Sequence, residues 1–146
     1  MTNTPNNPQD AQPTEQQLEQ LKGRLDEQGL PRGYPFRDDW EITPRQVKAL
    51  RDAGEDFLLI DCRTTGEHNA VKIDGCQLIP LHEAGRLFKE IASHLAGKKI
   101  VVYCHHGQRS LQMAAFLRYQ DLPEVHSMAG GIDLWSIDID PELKRY

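Results

Sequence analysis

The residues best placed to do chemistry fall in one run, Ile100-Val101-Val102-Tyr103-Cys104-His105-His106-Gly107-Gln108-Arg109-Ser110. An apolar, β-branched stretch stops at Cys104, a short polar loop follows, and Ser110 opens a helix-favouring stretch from Leu111 to Tyr119. A loop that closes on a helix start aims free backbone N–H groups, and the positive end of the helix dipole, at one point. A thiol held there ionises easily, because the same donors stabilise the thiolate and any anion attached to it. Cys104 is therefore the candidate nucleophile, and the chemistry on offer is covalent sulfur chemistry or phosphoryl chemistry. The amides of the loop from His105 to Ser110 form the expected cradle, with Gly107 relieving crowding at the turn and Gln108 lending its N–H. Arg109 carries a planar fork of donors, which either binds an anionic substrate and orients the loop or pairs with a nearby carboxylate. His105 and His106 either attract an anion when protonated or serve only through their backbone N–H groups. Neither is required as a base, since a low-pKa thiol needs none. Adjacent residues such as Cys104, His105 and His106 do not converge on one ion, so no metal is expected.

These residues need a strand before them and a helix behind them, and the rest of the chain supplies the same alternation. Thr43 and Pro44 make an N-cap and first helical position for a helix that ends before Gly54. Phe57 to Ile60 is a continuous apolar run, as in a strand buried on both faces. Thr64 or Thr65 caps a short helix through Asn69, and a brief strand follows from Cys76 to Ile79. Leu87, Ile91 and Leu95 share one face of a helix over residues 82–95, and Lys99 to Tyr103 is the next buried strand. Val125 to Met128 is a last strand, Gly130-Gly131 a tight turn, and Ile132 to Ser136 a terminal helical turn. Strands alternating with helices predict a parallel α/β sheet with ligands at the carboxyl ends of its strands. Cys104 and the Asp61-Cys62-Arg63 segment both sit at such ends.

Ahead of this domain (40–146), residues 1–14 lack apolar side chains in number and read as a disordered tail. Residues 15–39 read as a helix and an extended linker. Leu18, Leu21 and Leu25 form a narrow stripe over residues 15–28, which docks either on the domain or on a second copy. The aromatics of Pro31-Arg32-Gly33-Tyr34-Pro35-Phe36 can fasten the linker. The chain has 146 residues, 38% hydrophobic and 27% charged, as in an ordinary soluble domain. A net charge of −5 with no basic run argues against nucleic acid or an anionic membrane as partner. No apolar stretch approaches the roughly 20 residues that span a bilayer, and the polar N-terminus is no secretory signal. Three scattered cysteines do not make a disulfide framework, so a reducing cytoplasm is expected.

Three stretches together resemble the rhodanese-like sulfurtransferase family, its single-domain bacterial type in particular. Leu59-Ile60-Asp61-Cys62-Arg63 with Glu67 is similar to the family's strand-end Asp-x-Arg and acidic residue. Cys104 to Ser110 is similar to its active-site loop, and Gly130-Gly131-Ile132 with Trp135 to its C-terminal signature. The resemblance covers 40–146 and implies a three-layer α/β fold, a central parallel sheet flanked by helices. It implies a cysteine that carries sulfur as a persulfide, with no cofactor. The implied partners are a small thiosulfate-like sulfur donor and a thiol or sulfur-carrier protein as acceptor. Val71-Lys72-Ile73-Asp74-Gly75-Cys76 departs from the family's Gly-His-Ile and Gly-Ala, which puts contacts in that segment in question.

Asp61 and Arg63 are expected to be structural, in a polar network with Glu67. Cys62 lies beside that network and either resolves a Cys104 persulfide into a disulfide or is a buried apolar residue; the latter is expected for it and for Cys76, and Trp135 is expected as core. Three other readings compete. A cysteine phosphatase or arsenate reductase would use a loop one residue longer than the four residues separating Cys104 from Arg109, and a shorter ring of amides suits a sulfur atom better than a phosphate. A non-catalytic docking module would have no need of the cysteine and its complete loop. A redox-sensing thiol would need a resolving partner, and only Cys62 lies near in the expected layout.

Overall fold

Strands buried on both faces must be covered by helices on both sides, and that requirement organises the molecule. The computed structural model describes residues 12–146, so the expected tail lies, for residues 1–11, outside the described residues. The strands are β1 (Glu41–Ile42), β2 (Leu58–Asp61), β3 (Gln77–Leu78), β4 (Ile100–Tyr103) and β5 (Val125–Met128). They form one sheet of order β1-β5-β4-β2-β3, with every pairing parallel. The helices are α1 (Glu15–Lys22), α2 (Pro44–Asp52), α3 (Thr65–Ala70), α4 (Ala84–Leu95), α5 (Gln108–Tyr119) and α6 (Gly131–Asp138).

Alternation along the strands sorts their side chains into two layers. Ile60, Ile100, Val102 and Cys104 face one apolar cluster with Leu95, Met113 and Leu117 of α4 and α5. Leu59, Val101 and Tyr103 face the other, with Val47 of α2 and Ile132 and Trp135 of α6. Leu95, Val101, Val102 and Met113 have no exposed surface. Burying side chains of this size contributes about 1.5–3 kcal/mol each, which fixes the strand ends that carry the site. The sequence connects β1 through β5 so that β4 and β5 lie to one side and β2 and β3 to the other. The crevice beyond the carboxyl ends of β4 and β2 is thus a topological switch point.

Several expected boundaries move. The first helix ends at Lys22 rather than running to Gln28. Past Gly23 the Asp26 carboxylate accepts from the amides of Gln28 and Leu30, and Leu25 bridges Pro31, so a turn displaces the last helical turns. The helix contacts α6 of its own chain. The linker aromatics Tyr34 and Phe36 pack with Leu30, Ala129 and Leu134. Phe57 precedes β2 rather than opening it, residues 81–83 form a 3-10 turn before α4, and Gln77, not Cys76, begins β3. The two-residue β1 had no pattern to reveal it; it exists by pairing with β5.

Candidate active site

Cys104 is the residue after β4 and is almost wholly buried, at 1% exposure. Its Sγ accepts from the amides of Gly107 (3.1 Å) and Ser110 (3.3 Å) and lies 3.3 Å from Ser110 Oγ. Ser110 is the third residue of α5, so its N–H belongs to the first turn, where no intrahelical acceptor exists. Gly107 enters the helix with φ of 104°, and a Cβ there would meet Gly130 N at 3.2 Å. The cradle is thus narrower than the sequence predicts: among the described residues, Gly107 and Ser110 aim their amides at the sulfur. The Ser110 hydroxyl is 2.7 Å from Ser127 Oγ of β5.

The carbonyls of the loop are turned away by α6. Ile132 N donates to Cys104 O (2.9 Å) and Asp133 N to His105 O (3.1 Å), so the free N–H groups of one helix hold the back of the loop. Gly131, at φ of 63°, makes this possible, because a Cβ there would collide with the His105 and Cys104 carbonyls.

Electrostatically the site favours an anion on sulfur. The neighbouring Cys62 thiol is the largest influence, and the Ser110 and Gly107 donors add to it. Against the cost of burial they bring the Cys104 thiol down to about 5. Cys62 is pushed up, first by that same partner and then by burial, so its thiol stays protonated. Cys62 is as buried as expected, at 1% exposure, but it is more than core filling.

Arg109 lies at the mouth and forms a bidentate pair with Glu67 (2.6 and 2.9 Å). The arginine holds the Glu67 carboxyl far below its ordinary range, against partial burial. Arg63 is fully buried; its Nε and Nη2 clasp Asp61 at 2.9 and 2.8 Å. Burial opposes the charge on both partners, yet their mutual hydrogen bonds lower Asp61 and raise Arg63. The expected single network of Asp61, Arg63 and Glu67 is therefore two ion pairs, and the link between them is Tyr146. Arg63 Nη1 donates to the Tyr146 hydroxyl (2.9 Å), which donates to Glu67 Oε2 (2.6 Å). The Tyr146 ring stacks on His105 at 3.9 Å, and His105 Nε2 donates to Tyr146 O (2.8 Å). Burial, and then the adjacent His106, lower the pKa of the His105 imidazole. His106 is exposed and 3.8 Å from Asp133. The Gln108 side chain makes no hydrogen bond among those described. Tyr146 has no apolar period or motif around it that would signal this position.

In the departing segment His68 Nδ1 lies 2.9 Å from Asp61 Oδ2, and the Tyr103 hydroxyl donates to Cys76 Sγ (3.4 Å). Asp61, His68 and Cys76 place three potential metal-ligand atoms within 4.8 Å of one another. Arg63 already occupies the Asp61 carboxylate there and would repel a cation. Trp135 is 4% exposed, in the core. No helix among the described residues is long and apolar enough to cross a membrane.

The family model of the rhodanese-like domain matches residues 43–138, which contain the whole cradle. The chain belongs to the rhodanese-like domain family. Two curated members of comparable identity differ in extent. A thiosulfate sulfurtransferase, GlpE, of Pseudomonas fluorescens is 34% identical over 104 residues, 71% of this chain and 91% of that protein. A probable adenylyltransferase/sulfurtransferase, MoeZ, of Mycobacterium tuberculosis is 33% identical over 107 residues, 72% of this chain. The chain spans only about a quarter of that longer protein, 26%. Among solved rhodanese-like structures, the human single-domain sulfurtransferase TSTD1 superposes with a TM-score of 0.58 at 21% identity, covering 67% of this chain and 96% of that one. That likeness speaks for the fold. The five-stranded parallel sheet with helices on both faces is the rhodanese-like architecture expected from the sequence.

Proposed function

We propose that the protein is a sulfurtransferase that moves a sulfane sulfur from thiosulfate, or a donor like it, to a thiophilic acceptor through a persulfide on Cys104. The observation that carries this reading is the donor set closed on one sulfur atom: the Gly107 and Ser110 amides and the Ser110 hydroxyl. The sulfurtransferase names of relatives about a third identical support it.

The thiolate attacks the outer sulfur of thiosulfate, the donor's S–S bond breaks, and sulfite leaves with the bonding pair. The product, Cys104–Sγ–S⁻, keeps one negative charge. An acceptor thiol, a sulfur-carrier protein or cyanide then takes the outer sulfur and returns the thiolate. Two half-reactions sharing one covalent intermediate give ping-pong kinetics. Amides fixed by α5 and α6 need no reorganisation as charge moves along the two sulfurs, and each well-aimed donor is worth about 2.7–4 kcal/mol. His105, His106, Gln108 and Arg109 line the approach, and Arg109 meets the anionic donor by giving up part of its Glu67 contact.

Intact-mass measurement after thiosulfate treatment tests the reading. One added sulfur should map to Cys104 and leave with cyanide, and Cys104→Ser should gain none while unfolding like the wild type. Sulfur transfer persisting in Cys104→Ser would remove the proposal.

A further inference from the structure

Cys62 is a second thiol that these half-reactions leave chemically unused. It follows the last residue of β2 as Cys104 follows the last residue of β4. The two strands are parallel neighbours with Asp61 beside Tyr103, and the pairing runs one step on, where Cys62 N donates to Tyr103 O (3.0 Å). Cys62 and Cys104 therefore stand side by side, and both face the cluster under α4 and α5. Neighbouring strands are about 4.8 Å apart, within the Cα separation of about 4.4–6.8 Å that a disulfide spans without backbone movement. Cys76 packs with the cluster on the other face, so the sheet separates it from Cys104.

We propose that Cys62 is a resolving thiol, giving the protein a second activity: release of hydrosulfide from sulfane donors, with a Cys62–Cys104 disulfide as intermediate. The inference rests on the persulfide reading above. The Cys62 proton passes to the outer sulfur, and Cys62 Sγ attacks Cys104 Sγ. The bond from Cys104 Sγ to the outer sulfur breaks, and that sulfur departs as hydrosulfide with the bonding pair and the proton. The sulfane sulfur gains two electrons and the two cysteines lose two, so no outside oxidant enters. A dithiol, or two monothiols, then reduces the disulfide and is itself oxidised. With an acceptor in the mouth the sulfur is transferred outward; without one, the neighbour at the strand end expels it. Cys62 is suited to this because its thiol stays protonated beside the Cys104 anion and so carries the proton the leaving sulfur takes.

The protein is loaded with thiosulfate, freed of donor, and followed without acceptor by intact mass and by hydrosulfide assay. The expected course is the added sulfur at Cys104, then its loss with about one hydrosulfide per chain, leaving a chain two hydrogens lighter than the reduced protein. Peptide mapping should place the disulfide at Cys62–Cys104. Cys62→Ser, or Cys62→Ala should the first fold poorly, should hold the sulfur about tenfold longer or more, since an adjacent nucleophile acts at high effective concentration. Cys76→Ser should behave as wild type. Equal lifetimes in wild type and both Cys62 variants, with sulfur loaded in each, would overturn the inference alone. No sulfur on Cys104 in any of them would overturn the persulfide reading and this one with it. Equilibration of the wild type in a dithiol–disulfide buffer is a check without mutation: a disulfide mapped elsewhere, or none, counts against the pairing.

Discussion

Removing the Ser110 hydroxyl isolates one donor of the cradle while leaving the backbone that forms the rest. When Cys104 is a thiolate, Ser110 Oγ can only donate to it across 3.3 Å, and it accepts in turn from Ser127 at 2.7 Å. In Ser110→Ala the residue-110 and Gly107 amides remain on the sulfur, and the Ser127 hydroxyl, released from Ser110, turns to the Gly107 carbonyl at 3.5 Å. A hydrogen bond to a charged group contributes about 1.5–3 kcal/mol. At about 1.4 kcal/mol per pH unit, the loss raises the Cys104 midpoint by about 1–2 units. From a starting value of about 5, the variant should titrate at about 6–7. The thiolate is the reactive form, so activity is present above the midpoint and falls as pH drops through it. At neutral pH the variant therefore loses at most about half its thiolate, whereas near pH 5.5 it loses roughly eightfold for a midpoint of about 6.5. The assay is the pH dependence of Cys104 alkylation by iodoacetamide, read by peptide mass, alongside the rate of sulfite release from thiosulfate. Cys62 and Cys76 are both held protonated, so low-pH alkylation reports Cys104. A midpoint in Ser110→Ala that stays within a few tenths of a unit of the wild type would refute the hydroxyl's place in the cradle.

Three further outcomes follow from the surrounding groups. Asp61→Asn leaves the fully buried Arg63 without its countercharge, and urea unfolding should show a loss of about 3–5 kcal/mol. The effect has a pH sign: Asp61 is lowered in the folded protein, so its contribution is full above the ordinary carboxylate range and disappears as pH falls through the depressed value. Gly131→Ala forces a side chain against the Cys104 and His105 carbonyls at a positive φ, and should cost about 2–4 kcal/mol in denaturant, with a larger fractional loss of sulfite release in whatever folds. Glu67→Gln releases the Arg109 guanidinium from its bidentate partner; the KM for thiosulfate should fall about threefold to tenfold at low ionic strength, and the gain should vanish in high salt. An unchanged KM would mean that Arg109 does not meet the donor.

The parts of the site legible in the sequence were those encoded by neighbours along the chain. The stop of a β-branched run at Cys104, a glycine before a helix, and a run from Ser110 into apolar residues are local signals, and each has a local cause in the structure. The capping signs were nearly as direct: Thr43 accepts from the third helical amide as expected, and of the two candidates Thr64 and Thr65 it is Thr64 that does the same. What stayed hidden is contact between distant segments. Glu67 and Arg109 are 42 positions apart and Tyr146 is 79 from Glu67, so no spacing rule brings them together. Helix α1 was overextended because leucine periodicity speaks for a helix without counting the Asp26 turn that outcompetes it.

One signal in the sequence brings Cys62 near Cys104 without fixing their register. Leu59-Ile60-Asp61-Cys62 and Val101-Val102-Tyr103-Cys104 are two buried strands that each end one residue before a cysteine. Parallel strands in a doubly covered sheet tend to finish together at the crevice, so equal positions past the ends imply neighbours once the strands are adjacent. The register is what the structure adds, by pairing β4 with β2 so that Asp61 lies beside Tyr103. A lone sulfur at this strand end would be stabilised by the two amides and the Ser110 hydroxyl. A pair of sulfurs there gives the thiolate a protonated neighbour that is itself a nucleophile, so the group that favours the anion on Cys104 is also the group able to remove what that anion acquires. The balance between outward transfer and hydrosulfide release then depends on whether an acceptor reaches the outer sulfur past His105 and Tyr146 before Cys62 reacts from within the sheet.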